Sequence, residues 1–295
     1  MGASVKTILI TGASSGIGRA TALRLARNGW RVLAAVRKDE DARSIEAEAQ
    51  GALETVRLDV GDRDSIAAAA HEVEVRLDGR GLDGLFNNAG IGYIGPVENT
   101  TPEMLRQIFE INLFGQIAMI QAFVPLVRRA KGRIINTGSV GDHITPPFGG
   151  AMAASKAAFA SMSVALRMEL RAQGIHVCLI EPGSINTPAV DKTLGVVETA
   201  IAGLPSEAAG LYGEALRRMA RVFAKNERAG SPPEAVAKVV EQALTERNPK
   251  TRYPAGKNSV KLVMLAHLLP EKLLDIAILK TFGLPTAFGK RVLPR

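Results

Sequence analysis

Three short stretches carry residue types suited to gripping a phosphorylated nucleotide. The first is Thr11-Gly12-Ala13-Ser14-Ser15-Gly16-Ile17-Gly18. An apolar run from Val5 to Ile10 precedes it and a helical pattern follows, with Ile17, Ala20, Leu23 and Leu25 apolar and Arg19, Arg24 and Arg27 polar. Strand, glycine turn and helix together present main-chain N–H groups at a helix N-terminus, where a phosphate can sit. Gly12 turns where a side chain would clash, Gly16 lets the backbone approach a pyrophosphate, and Gly18 lets the helix lie close. Ser14, Ser15 and Ile17 complete the loop. The spacing, G-x-x-x-G-x-G, is a variant of the usual dinucleotide fingerprint, and an ordinary strand-to-helix turn is the competing reading. The second stretch, Arg37-Lys38, follows Arg31 to Val36. A carboxylate there would suit a ribose 2′-hydroxyl; a basic pair suits a 2′-phosphate, which predicts NADP(H) over NAD(H), against an ordinary solvated loop. The third is Asp59-Val60, placed to meet an adenine edge unless Asp59 simply caps the next helix.

These residues need a scaffold that brings strand ends together. Short apolar runs recur at Val5–Ile10, Arg31–Val36, Leu53–Leu58, Leu82–Phe86, Arg133–Thr137 and Ile175–Ile180, with helical stretches between them. That alternation predicts an α/β fold, a doubly wound parallel sheet covered by helices on both faces, with ligands at the C-terminal strand ends. Asn87-Asn88-Ala89-Gly90 follows the fourth run, its small and amide residues allowing close approach to a ribose. Asn112 falls within a helix expected from Pro102 to about Arg128, where Asn is mildly unfavourable and needs a hydrogen-bonding reason.

Composition narrows the classes. The chain has 295 residues, 46% of them hydrophobic, enough for a sizeable core. The single cysteine, Cys178, excludes an internal disulfide framework and fits a reducing, cytoplasmic setting. The formal charge is +8, but the basic residues are scattered and aromatics make up only 4%, so a stacking platform for nucleic acid is not expected. No uninterrupted apolar stretch reaches the ~18 residues of a membrane span.

The glycine stretch, Asp59, Asn87 to Gly90, Asn112, Ser139, Lys156, Pro182-Gly183 and Thr187 together resemble the short-chain dehydrogenase/reductase family, in order and spacing, over roughly residues 5 to 256. The resemblance implies a single Rossmann-type domain over 1–256 with seven strands, and hydride transfer between a nicotinamide and a carbonyl or alcohol carbon. It implies that Ser139 steadies the substrate oxygen, that Lys156 holds the ribose hydroxyls, that Asn112 helps hold a water, and that the Ile185 backbone and Thr187 face the nicotinamide carboxamide. In the family a tyrosine four residues before the lysine is the acid/base. Here that position is Met152. A thioether has no proton to give, and losing a general acid costs ~10²–10⁴ in rate. Four accounts stand: a tyrosine-bearing reductase altered at this position; a natural enzyme reducing an activated C=C or C=N; a substitute acid for carbonyl chemistry, with Tyr93 or His143 as candidates; or a catalytically silent NADP-binding scaffold or sensor. Tyr93 as a packed loop aromatic and His143 as a solvent-facing loop residue are the plainer readings.

Beyond Pro182-Gly183, residues 188–230 read as loosely patterned helix, the family's substrate lid. Ser231-Pro232-Pro233-Glu234 reads as the cap of a helix running to about Arg247, and Arg252-Tyr253-Pro254 as an edge strand. Residues 257–295 form a leucine-rich, lysine-punctuated helical extension broken at Pro270, expected to pack over the substrate mouth or an interface, or to touch a membrane surface through 257–282. A small apolar substrate and a homodimer or homotetramer are the expected partners; no metal ligation is expected.

Overall fold

The computed structural model describes residues 5–287, and their side chains apart from those of 192–194 and 196. Strands β1 (Thr7–Ile10), β2 (Arg31–Val36), β3 (Leu53–Arg57), β4 (Gly84–Asn87), β5 (Arg133–Thr137), β6 (His176–Pro182) and β7 (Arg252–Ala255) form one sheet in the order β3-β2-β1-β4-β5-β6-β7. Every pairing is parallel. The helices are α1 (Gly16–Arg27), α2 (Asp39–Glu48), α3 (Arg63–Leu77), α4 (Pro102–Phe109), α5 (Gly115–Ala130), α6 (Gly150–Arg171), α7 (Ala189–Ala202), α8 (Ser206–Arg228), α9 (Pro233–Thr245), α10 (Ser259–Leu268) and α11 (Glu271–Thr281).

A parallel strand is buried on both faces, so its sequence reads as an unbroken apolar run rather than an alternation. All four residues of β1 are buried. Ile8 and Ile10 enter a core with Val236 and Val240 of α9, while Leu9 enters the opposite core with Phe123 of α5 and Phe159 of α6. The chain first winds outward from β1 to β3, then crosses back to lay β4 on the other side of β1. The loops after β1 and β4 therefore part at the switch in strand order, which opens a crevice there.

Three expectations need correction. The fourth strand starts at Gly84, not Leu82, because the Leu82 N–H is taken by the carbonyl of Leu126 in α5. The predicted helix from Pro102 to about Arg128 is interrupted by a π-helical turn at Glu110–Phe114. Ser231 does not cap α9, which has Pro232 at its cap position and no side-chain cap; instead the Ser231 backbone bonds Ser184 and Asn186, tying the segment after β6 to the start of α9. The stretch Pro102–Ala130 is long and apolar enough to cross a membrane by length and composition, but Ile108, Met119 and Phe123 from it are fully buried in this chain's own core.

Candidate functional site

The loop after β1 borders a cavity of about 260 Å³ whose walls include Gly12, Ser14, Ser15, Gly16 and Ile17 on one side and Asn88, Ala89 and Gly90 on the other. Gly12 has φ +66° and lies so close to the β4 loop that a Cβ would stand 3.0 Å from the Ala89 Cα. At Gly18 a Cβ would stand 2.3 Å from the Gly12 carbonyl oxygen, so the helix can begin this tightly only without a side chain. The Ser15 side chain does not cap α1, and the first-turn N–H groups of such a helix need an acceptor. Asn88 fastens the two loops: its amide donates to the Thr11 carbonyl, and the N–H groups of Asn88 and Ala89 both donate to Thr11 Oγ1.

At the far end, Arg37, Asp59 and Val60 line the cavity. The Arg37 guanidinium is two-thirds exposed and 3.7 Å from Asp59. Lys38 pairs with Glu40 and is not among the lining residues, so one member of the expected basic pair borders the cavity. Helix capping belongs to Asp62, which accepts from the N–H groups of Asp64 and Ser65; Asp59 instead accepts from Gly61 N–H.

The π turn explains Asn112. The extra residue turns this side chain into the core, where it accepts from Ile91 N–H and donates to both the Ile91 carbonyl and Ser155 Oγ. The site loop is thereby held by a helix as if by a neighbouring strand. Gln116, one turn on, adds a bond to the Ala89 carbonyl. Lys156 donates to the Thr137 carbonyl at 2.8 Å and lies under Gly90, whose Cβ, if built, would be 3.8 Å from Nζ. Burial lowers its ammonium pKa to about 8.

A second cavity, about 410 Å³, opens beside the first. Ile17 and Thr187 line both. Ser139 and Met152 stand on the second cavity's wall, as do Pro182, Gly183 and Ile185, while α10 and α11 add Leu262, Leu265, Leu274 and Ile278. The Ser139 hydroxyl oxygen accepts from Gly141 N–H at 2.9 Å, which leaves its hydrogen to donate into the cavity. Met152 Sδ faces Gly92 as well as this space.

A glycine-bordered cleft at the switch point, running into an apolar pocket beside a serine and a lysine, suits a dinucleotide and a second small molecule. The family described as short chain dehydrogenase matches residues 6–195. The chain belongs to that family. Among curated short-chain relatives, the uncharacterized oxidoreductase YbbO of Escherichia coli K12 is 37% identical over 271 residues, 92% of this chain and 93% of the relative. Human retinol dehydrogenase 5 is 35% identical over 294 residues, 96% and 90% of the two chains. An NADPH-dependent 3-dehydrocapnine reductase of Ornithobacterium rhinotracheale is 32% identical over 272 residues, 90% and 94%. A crystal structure of a short-chain dehydrogenase from Streptomyces avermitilis superposes with a TM-score of 0.75 at 29% identity, covering 95% of this chain and 97% of that one. The chain is thus an oxidoreductase of the short-chain family.

The two candidate substitute acids fall outside the second cavity's lining. The Tyr93 hydroxyl folds back over Gly95, where a Cβ would clash with it. His143 is neither free nor solvent-facing. Its Nε2 lies 2.8 Å from Glu181 Oε1, inside a cluster in which Arg252 pairs with both Glu181 and Asp142, and its ring lies 5.1 Å from that of His267 in α10. The Ile185 N–H, expected to face a carboxamide, is donated to Glu227 Oε2 at 3.1 Å. Sequence reasoning passed over Thr11, Gln116 and Glu227. Thr11 stood within the quoted glycine stretch, but its role as a double acceptor depends on where β4 ends. Gln116 stood one helical turn beyond Asn112. Glu227 had no local signal, because only the fold shows where the last turn of α8 points.

Proposed function

We propose that this short-chain oxidoreductase uses NADP(H) to reduce a carbonyl-like group of a small apolar substrate. The observation that carries the reading is the meeting of the two cavities at Ile17 and Thr187, with Ser139 and Met152 on the wall of the apolar one. Gly12 to Gly18, Asn88 to Gly90 and Lys156 would hold the dinucleotide by backbone and ammonium, and the Arg37 guanidinium suits a 2′-phosphate. Reduced nicotinamide, when bound, would supply a hydride. Ser139 then orients the acceptor oxygen with its unused hydroxyl hydrogen, and the leucines of α10 and α11 exclude water from an apolar substrate. The name of the NADPH-dependent relative supports the cofactor reading, and the name of the retinol dehydrogenase supports an apolar alcohol or carbonyl substrate.

The test is calorimetry with NADPH and NADH, followed by nicotinamide absorbance against a panel of ketones, aldehydes, enones and imines, on the native chain and on Met152→Tyr. Tighter NADPH binding with turnover of an apolar carbonyl compound is the expected outcome; no binding of either dinucleotide overturns the reading. Met152 itself favours a second reading, a silent NADP-binding scaffold, which NADPH binding without turnover on the whole panel, in the native chain and in Met152→Tyr alike, would establish.

Two assembly features belong to the same reading. Phe114, Met162 and Met168 are exposed on the helices around Asn112 and Lys156, which supports a homodimer or homotetramer, checked by sedimentation velocity. Val260, Met264, Leu268 and Leu273 are exposed on α10 and α11 among Lys261 and Lys272, which supports peripheral contact with an anionic membrane surface, checked by vesicle sedimentation of the full chain against a 1–256 truncation.

A further inference from the structure

We infer that Glu227 is the proton donor of this site, supplying from α8 the hydrogen ion that Met152 cannot. The inference rests on the reading of the cavity as the place where a carbonyl oxygen is reduced.

Among the described residues lining the second cavity, Glu227 alone carries a titratable side chain. The rest of the wall is apolar or bears hydroxyl, amide or thioether groups. Tyr93 and His143 do not border it. Among the described lining residues, Glu227 is the one acid that an oxygen gaining charge in this space would meet.

Glu227 is also placed against local rules. Leu216, Ala220 and Ala224 form the buried stripe of α8, and Glu227 continues that stripe one turn further, where an apolar residue would be the ordinary choice. It lies in the last turn of a 23-residue helix, at the end where the helix dipole disfavours a negative charge. Burial raises its carboxyl pKa above the ordinary glutamate value, against the opposing pull of hydrogen bonds from Ile185 N–H and the Ser184 hydroxyl. Burial of a carboxyl in an apolar wall favours its protonated form, the form that can donate. A residue that costs stability at a cavity wall points to a role there.

The step balances. With reduced NADP(H) bound, a hydride would leave the dihydronicotinamide for the carbonyl carbon, and the carbon–oxygen π pair would move to oxygen. That oxygen forms an O–H bond as the Glu227 O–H bond breaks. The carbonyl compound is reduced to an alcohol and the dinucleotide is oxidised. The carboxylate left behind is the species that the Ile185 N–H and Ser184 hydroxyl stabilise, and water entering at the cavity mouth returns its proton. Ser139 steadies the substrate oxygen throughout.

Glu227→Gln keeps the shape and removes the acid. The expected result is a fall in kcat of ~10²–10⁴-fold on the ketone that the native chain reduces, with NADPH affinity by fluorescence titration unchanged and the melting temperature equal or higher. In the native chain kcat should fall as pH rises through the Glu227 pKa, and Glu227→Gln should lose that limb. Carbon NMR of labelled glutamate in the dinucleotide-free chain should show one carboxyl, missing in Glu227→Gln, titrating above the ordinary range. Met152→Tyr on the Glu227→Gln background should restore turnover. Unchanged kcat in Glu227→Gln overturns this inference alone; NADPH binding by a native chain that reduces no ketone or aldehyde overturns it together with the carbonyl part of the proposed function. A native chain that binds no dinucleotide overturns the proposed function first and this inference with it.

Discussion

The two cavities share a boundary at Ile17 and Thr187 but are built in opposite ways. The dinucleotide cleft is made of main chain and small residues clamped by close glycine contacts, Gly12 against Ala89 and Gly18 against Gly12, and by partly buried hydrogen bonds, Asn88 to Thr11 and Ile91 to Asn112. The apolar cavity is closed by side chains from α8, α10 and α11, and among the described residues of α11 none is fully buried. The first region suits a ligand whose phosphates and riboses demand fixed donors, and a fixed donor needs a rigid backbone. The second surrounds apolar matter, for which shape and water exclusion suffice, and helices that pack loosely can adapt to it.

This contrast can be broken most severely at Gly18. In Gly18→Ala the new Cβ meets the Gly12 oxygen, the backbone must shift, and overpacking costs ~1–3 kcal/mol. NADPH affinity should drop ~10–100-fold by calorimetry, while an apolar fluorescent probe in the second cavity should bind as before. Equal loss at both sites would show that the two regions are one cooperative unit.

The next effect comes from pH. Lys156 has its pKa lowered to about 8 in the dinucleotide-free chain; an anionic ligand beside it raises that value. Between these two values the complex holds a proton that the free chain has lost. Binding should therefore take up a proton above pH ~8, and NADPH affinity should fall by up to ~10-fold per pH unit. Calorimetry in buffers of different ionisation enthalpy reads the uptake, which Lys156→Met should abolish.

Arg37→Ala sharpens the assignment of the adenine end. A hydrogen bond to a charged group is worth ~1.5–3 kcal/mol, reduced here by exposure, so NADPH should bind ~10-fold more weakly and NADH equally well. The smallest change is expected from a chain ending at Leu269. Without α11 the probe should dissociate faster from the second cavity, and the NADPH dissociation constant should stay where it was.

Much of the cleft's lining was legible because it is written in single residues of unusual type. Glycines at fixed spacing, a basic residue after the second strand, and an asparagine in mid-helix each break a local preference, and each break marks a contact. The parallel sheet was legible for the same reason: a strand covered on both faces must be apolar at every position, and β1 is. The substitute acids were misplaced because loop proximity in sequence says little about direction. His143, four residues past Ser139, turns instead into the Glu181 and Arg252 cluster.

The amino-acid order alone thus set the layered sheet, the glycine turn before α1 and a thioether at Met152, since backbone propensity, glycine geometry and side-chain chemistry are local properties. Tertiary packing decided the rest. It put a π turn at Asn112, paired Lys38 with Glu40, and brought Glu227 beside Ile185 across 42 residues of chain. Such juxtapositions depend on how whole helices dock, and docking is a sum over many weak contacts that no single stretch of sequence contains.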